Sequence, residues 1–224
     1  VARGDLAIEI PQSKITIIQK MIIKKAIEKR KPVITATQML HSMIHNPRPT
    51  RAEVSDIANA IYDGTDALML SGETAYGEYP VKAVELMTSV AHEVEKDKKP
   101  YMDTTPLILN NEVSFFLAKS AVQASFTLNA TAIIADTETG RTIRGLSAYR
   151  GQKNVFAQCY DRRVVRELAL SYGVEAHYHK PLKTHEKFIR YAIERLLENG
   201  CLRENDRVVA LGGNFGASYG ASFI

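Results

Sequence analysis

Arg3-Gly4-Asp5, Thr37-Gln38 and Ser71-Gly72-Glu73-Thr74 each follow a short apolar run. Together they offer carboxylates, hydroxyls and glycines. A glycine lets backbone N–H groups approach an anion closely. An exposed aspartate beside such amides suits a divalent cation that holds an anionic, oxygen-rich substrate. The competing reading is local: Asp5 and Ser71 cap the helices that follow them. The pattern alone leaves both open. A second candidate is Thr137-Glu138-Thr139-Gly140-Arg141-Thr142. Hydroxyls, a glycine and an arginine at a helix amino end make a ready anion site, although a tight turn into a capped helix needs the same residues. "GGNFGASYG" (Gly212 to Gly220) reads as a loop able to close over a ligand. As a dinucleotide fingerprint it is weak, because no helix follows it here.

The elements that would position these residues alternate. Ser13–Lys29 has helical apolar spacing, and "KPVITAT" (Lys31 to Thr37) is a β-branched strand. Thr50-Arg51-Ala52-Glu53 matches a capping box that opens the next helix. "DALML" (Asp66 to Leu70) is a strand and Val81–Val94 a helix. Alternation of this kind predicts a parallel sheet with crossover helices. Ligands then bind beyond the carboxyl ends of the strands, which puts the first three stretches on one face. "EKDKKPYMDTTP" (Glu95 to Pro106) is polar and proline-terminated, and marks a domain boundary. Helices are expected over 112–126, to about Tyr149, from Asp161 to about Ser171, and over 184–199. Strands are expected at "ATAIIAD", "NVFAQC", "VEAHYH" and "DRVVALGG". The second half is thus a separate α/β domain of four or five strands.

The 224 residues are 45% hydrophobic and 24% charged, ordinary for a globular chain. No apolar run approaches the ~20 residues of a membrane span. The net charge is +4, with nine Lys/Arg against three Asp/Glu in residues 1–50. That excess fits attraction of an anionic small molecule or a solvated helix face. No basic stretch carries interleaved aromatics, so nucleic acid is not an expected partner. Cys159 and Cys201 make neither a disulfide framework nor a zinc motif. Nothing at the start has a signal-peptide layout, and a cytoplasmic location is expected.

"VARGDLAIEIP", "KPVITATQML" and "NPRPTRAEVSDIANAIYDGTDALMLSGETAYGEYPVKAVELM" closely resemble successive motifs of the pyruvate kinase family. The likeness runs through residues 1 to about 95, and residues 100–224 resemble that family's carboxyl-terminal domain more weakly. The resemblance implies part of a (β/α)₈ TIM barrel over residues 1–97. It implies a regulatory or oligomerising α/β domain with a mixed, mostly parallel sheet over 98–224. It implies phosphoryl transfer from phosphoenolpyruvate to ADP, giving pyruvate and ATP, with Mg²⁺ or Mn²⁺ and K⁺, in a cytoplasmic homotetramer. By the same resemblance Asp5 is a metal ligand, Arg3 and Gly4 bind substrate, and Thr37 contacts substrate near the developing enolate. Ser71 and Glu73 line the same pocket. Thr137, Thr139, Gly140, Arg141 and Thr142 match the family's effector-phosphate loop. The family's catalytic lysine, second metal carboxylate, K⁺ ligands, ADP-phosphate arginines and lid domain belong upstream of Arg3. The 224 residues alone are therefore expected to be inactive. The alternative is a non-catalytic regulatory or oligomerising fragment that binds a phosphorylated effector.

Overall fold

A computed structural model describes residues 1–97, 113–182, 184–213 and 221–224. The chain forms two compact units, Val1–Lys99 and Pro100–Ile224. Most of the boundary stretch expected over Glu95–Pro106 lies outside the described residues, as does nearly all of Gly212–Gly220.

In the first unit, β1 (Ile34–Ala36) and β2 (Ala67–Met69) pair in parallel, Ile34 opposite Ala67. Ala2 bridges Ala36 in parallel on the other side of β1, so three extended stretches lie side by side. Each is followed by one of the stretches singled out in the sequence. α1 (Arg3–Glu9) starts straight after Ala2, α2 (Ile15–Glu28) leads to β1, α3 (Arg51–Tyr62) leads to β2, and α4 (Gly72–Ala75) precedes α5 (Pro80–Asp97). Arg3-Gly4-Asp5 is thus the first turn of a helix. Met39, Leu40, Met43, Ile57, Ala60 and Ala83 form a core that closes the segment after β1 beneath α3 and α5. Burying a Leu, Met or Ile side chain is worth about 1.5–3 kcal/mol, which fixes that segment tightly.

The capping box is present. The Thr50 hydroxyl accepts from the Glu53 N–H at 3.3 Å, and the Thr50 N–H donates back to Glu53 Oε2 at 2.8 Å. Glu53 also accepts from the Ser42 N–H at 2.7 Å and the Ser42 hydroxyl at 2.5 Å. It therefore ties α3 to the segment after β1. Burial alone would raise its pKa, but the bonds from Ser42 and Thr50 outweigh it, and the carboxyl sits below its ordinary value. A depressed carboxylate contributes stability that is full above the unfolded pKa and is lost as pH falls through the folded one. Thermal unfolding between pH 5 and 2 is therefore expected to lose less stability in Glu53→Gln than in the parent, because that carboxylate has already been removed. Equal losses would contradict the linkage.

The second unit is a five-stranded sheet in the order β5-β4-β3-β6-β7. Its strands are β3 (Ala132–Thr137), β4 (Val155–Cys159), β5 (Val174–Tyr178), β6 (Val208–Gly213) and β7 (Ala221–Phe223). The first four pair in parallel, and β7 is antiparallel to β6. The helices are α6 (Val113–Thr127), α7 (Arg141–Ala148), α8 (Arg162–Leu168) and α9 (His185–Glu198). One sheet face, with Ile133, Ala135, Val155, Ala157 and Leu211, packs in a core with Ala118, Ile143, Leu146, Val164 and Leu168. The other, with Ala132, Ile134 and Ala210, packs on Ile189, Ala192 and Leu196 of α9. This is the mixed, mostly parallel sheet expected. Asp161 and Thr184 cap α8 and α9 through their side chains, as short polar residues at that position do. Cys159 is fully buried, and desolvation pushes its thiol up to about 12, so it behaves as core. Among the described residues, no helix is long and apolar enough to cross a membrane.

Candidate active site and effector loop

β1 ends at Ala36 because the chain turns left-handed. Thr37 has φ 71° and Gln38 φ 54°. Residues other than glycine pay about 1–3 kcal/mol each for this region, and a β-branched threonine is the harder case. Four hydrogen bonds hold the turn. The Thr37 hydroxyl donates to the Ala36 carbonyl at 2.6 Å and accepts the Gly4 N–H at 3.0 Å. The Arg3 guanidinium donates to the carbonyls of Ala36 and Thr37 at 3.3 and 2.7 Å. It also reaches Met39 Sδ at 2.8 Å and pairs with Asp56 of α3. Beyond the turn, the Leu40 N–H donates to Glu73 Oε1 at 3.0 Å.

Arg3-Gly4 and Thr37 are therefore in direct contact, joined by two hydrogen bonds. Asp5, in the first turn of α1, is exposed, and its carboxylate takes part in no hydrogen bond among the described residues. Ser71 precedes α4 without a side-chain cap. The capping reading of these two residues thus fails, since neither Asp5 nor Ser71 spends its side chain on a helix end. Glu73 is only 2% exposed, and its second oxygen accepts the Ser71 N–H at 2.8 Å. One buried carboxylate thus links the segments after β1 and β2. The chain also turns back close to the Glu73 backbone. A Cβ at Gly77 would lie 2.5 Å from the Glu73 carbonyl oxygen, which only glycine tolerates.

The arrangement presents a free carboxylate at Asp5, a backbone N–H at Gly4 and a hydroxyl at Thr37 held by its neighbours. Its donor set suits a hard cation. Mg²⁺ is commonly held by one or two carboxylates, with the rest of its shell from substrate oxygens and water. Among the described residues no group of three or more His, Cys, Asp or Glu side chains that could hold a metal gathers. Arg48, Arg51, His41 and His92 are exposed, and His45 faces Glu78 at the surface at 3.1 Å.

In the second unit, Thr137 ends β3 and its buried hydroxyl accepts the Gly140 N–H at 2.8 Å. Gly140 is left-handed, with φ 80°, and α7 starts after it with no side-chain cap. A Cβ there would meet Arg144 Nη1 at 2.8 Å. Arg144 donates to the Thr139 carbonyl at 3.0 Å and pairs with Glu167 of α8 at 2.8 Å. Thr139 and Arg141 are exposed and Thr142 is buried. The loop therefore sits at the carboxyl end of the central strand, with an uncapped helix amino end behind it. In a parallel sheet whose strand order reverses about β3, this is where ligands bind.

Sequence reasoning missed the roles of Asp56, Asp136 and Tyr160. Asp56 and Glu53 lie three residues apart on α3 and so share one face, and both reach groups outside that helix, Arg3 and Ser42. Asp136 is 8% exposed and accepts from the Tyr160 hydroxyl at 2.9 Å. Desolvation pushes the pKa of both groups above their ordinary values.

Residues 1–84 match the family model described as "Pyruvate kinase, barrel domain", and residues 116–223 match "Pyruvate kinase, alpha/beta domain". The Borreliella burgdorferi protein named pyruvate kinase is 45% identical over 216 residues, covering 96% of this chain and 45% of that one. Its Clostridium acetobutylicum namesake is 45% identical over 216 residues, covering 95% and 46%. That of Bacillus licheniformis is 42% identical over 218 residues, covering 96% and 37%. The chain spans less than half the length of the curated relatives it matches.

Proposed function

The chain belongs to the pyruvate kinase family, and from that premise we propose that it forms part of a site that moves a phosphoryl group from phosphoenolpyruvate to ADP. The products are pyruvate and ATP. Residues 1–97 belong to the barrel and 98–224 to the α/β domain in this reading. The observation that carries it is the free Asp5 carboxylate next to the Gly4–Thr37 junction, beyond the carboxyl ends of parallel strands.

Phosphoryl transfer is mostly positioning and charge neutralisation. Asp5 would hold Mg²⁺ or Mn²⁺, which when bound supplies positive charge against the substrate oxygens. K⁺ would add to that charge. The Gly4 N–H would donate to the substrate carboxylate, exchanging its bond to the neutral Thr37 hydroxyl for a stronger bond to an anion. Thr37, held by Ala36 and Gly4, would stand beside the enolate left when the P–O bond breaks. Its hydroxyl is too weak an acid to be assigned as the donor that protonates carbon. Ser71 flanks the same place, and Glu73 positions the segments rather than touching substrate, since backbone N–H groups engage both its oxygens.

Thr137, Thr139, Gly140, Arg141 and Thr142 would bind a phosphorylated effector, the protein acting as a cytoplasmic homotetramer. In the full-length protein, Arg141→Ala is expected to remove activation by a phosphorylated effector while leaving basal turnover unchanged. A preserved response would place the effector elsewhere. The 224 residues alone are expected to give no turnover in a lactate dehydrogenase-coupled assay, because the family's catalytic lysine does not fall within them. In the second reading, a non-catalytic fragment, the effector loop is the functional site. It is favoured if full-length protein also fails to turn over yet binds a phosphorylated ligand.

A further inference from the structure

We propose that Arg3 and Asp56 work as a pair that holds the left-handed Thr37–Gln38 backbone, as positioning residues and not as contacts of substrate. The expectation for Arg3 was direct substrate binding. Its guanidinium is largely consumed by the protein instead. It donates to two successive carbonyls, those of Ala36 and Thr37, and to Met39 Sδ, and it pairs with Asp56. Only 12% of its side chain is exposed. Arginine has five N–H donors, and these four contacts leave little for an incoming anion.

The two carbonyls converge on one cation because the chain turns left-handed between them. Neither Thr37 nor Gln38 favours that region, so an outside group must hold it. Asp56 sets where the guanidinium sits, and its own place is fixed by the neighbouring anchors on α3. Glu53 is tied to Ser42 and Thr50, and Ile57 and Ala60 are fully buried. The chain of contacts therefore runs from α3 through Asp56 and Arg3 to Thr37, and from the Thr37 hydroxyl to the Gly4 N–H. A displaced Thr37 would carry with it both polar groups that the proposed reaction uses, and small misplacements of such groups are costly.

The kinetic arm rests on the proposed function, whereas the exchange arm rests on geometry alone. In the full-length protein, Asp56→Asn is expected to lower kcat roughly 10- to 100-fold and to speed hydrogen exchange at the Gly4 amide. Gln38→Gly relieves the strain at one of the two left-handed residues. Added to Asp56→Asn, it is expected to restore at least about threefold of the kcat and to slow Gly4 exchange again. Arg3→Lys, which cannot span two carbonyls and a carboxylate at once, should behave as Asp56→Asn does and be rescued by the same glycine. The proposal is overturned if Asp56→Asn changes neither readout, or if Gln38→Gly rescues neither. It is also overturned if Arg3→Lys raises KM for phosphoenolpyruvate while Asp56→Asn does nothing, because Arg3 would then touch substrate. If the parent protein shows no turnover, the functional reading fails and Gly4 exchange alone decides this one.

Discussion

Asp5→Asn in the full-length protein is expected to cut turnover by about 10²–10³-fold, the loss of roughly 3–4 kcal/mol of transition-state stabilisation. Asparagine keeps the shape and one oxygen but removes the negative charge that a hard divalent cation prefers. Folding should barely change. The Asp5 carboxylate is exposed and takes part in no hydrogen bond among the described residues. Its one structural contribution is an acidic charge in the first turn of α1, worth about 0.3–1 kcal/mol. A thermal midpoint close to the parent's, with collapsed turnover, therefore isolates chemistry from stability. Raising Mn²⁺ should recover part of the loss by mass action. Unchanged turnover would remove Asp5 from the site.

Glu73→Ala is expected to have the largest effect on stability. The carboxylate is buried and accepts the Leu40 and Ser71 N–H groups. Bonds to a charged acceptor are worth about 1.5–3 kcal/mol each, and alanine would leave both donors without their carboxylate partner. A loss of about 3–6 kcal/mol in urea unfolding follows, enough to unfold a marginal domain. Glu73→Gln should fall between, since its NH₂ replaces one of the two acceptors. Turnover should fall in both variants, because the segments carrying Thr37 and Ser71 lose their common anchor. A change below about 0.5 kcal/mol for Glu73→Ala, ordinary for a surface site, would contradict the bridging role.

Features written in neighbouring residues were legible in the sequence. The Thr50–Glu53 capping box needs only four residues, and the buried β3 strand announces itself as a short, mostly apolar run. Features written across distance were not. Glu73 reaches Leu40, 33 residues away, and Arg3 reaches Asp56 across 53. No local pattern encodes such pairings. The left-handed turn at Thr37–Gln38 was hidden for the same reason, since neither residue prefers it and tertiary contacts impose it. The start of α1 carries no local signal, because Ala2 offers no capping side chain and Gly4 is a poor helix former. The spacing of Glu53 and Asp56 was visible but had no meaning until α3 was seen to face the segment after β1.

The central claim is that Asp5, Gly4 and Thr37 belong to one phosphoryl-transfer site. Its most direct test is pyruvate formation from phosphoenolpyruvate and ADP by the full-length protein, titrated with Mn²⁺, in the parent and in Asp5→Asn. The account predicts robust, metal-dependent turnover in the parent, and in the variant turnover lowered at least a hundredfold with a higher metal requirement. No turnover in the parent, or an identical metal titration in both, would contradict it.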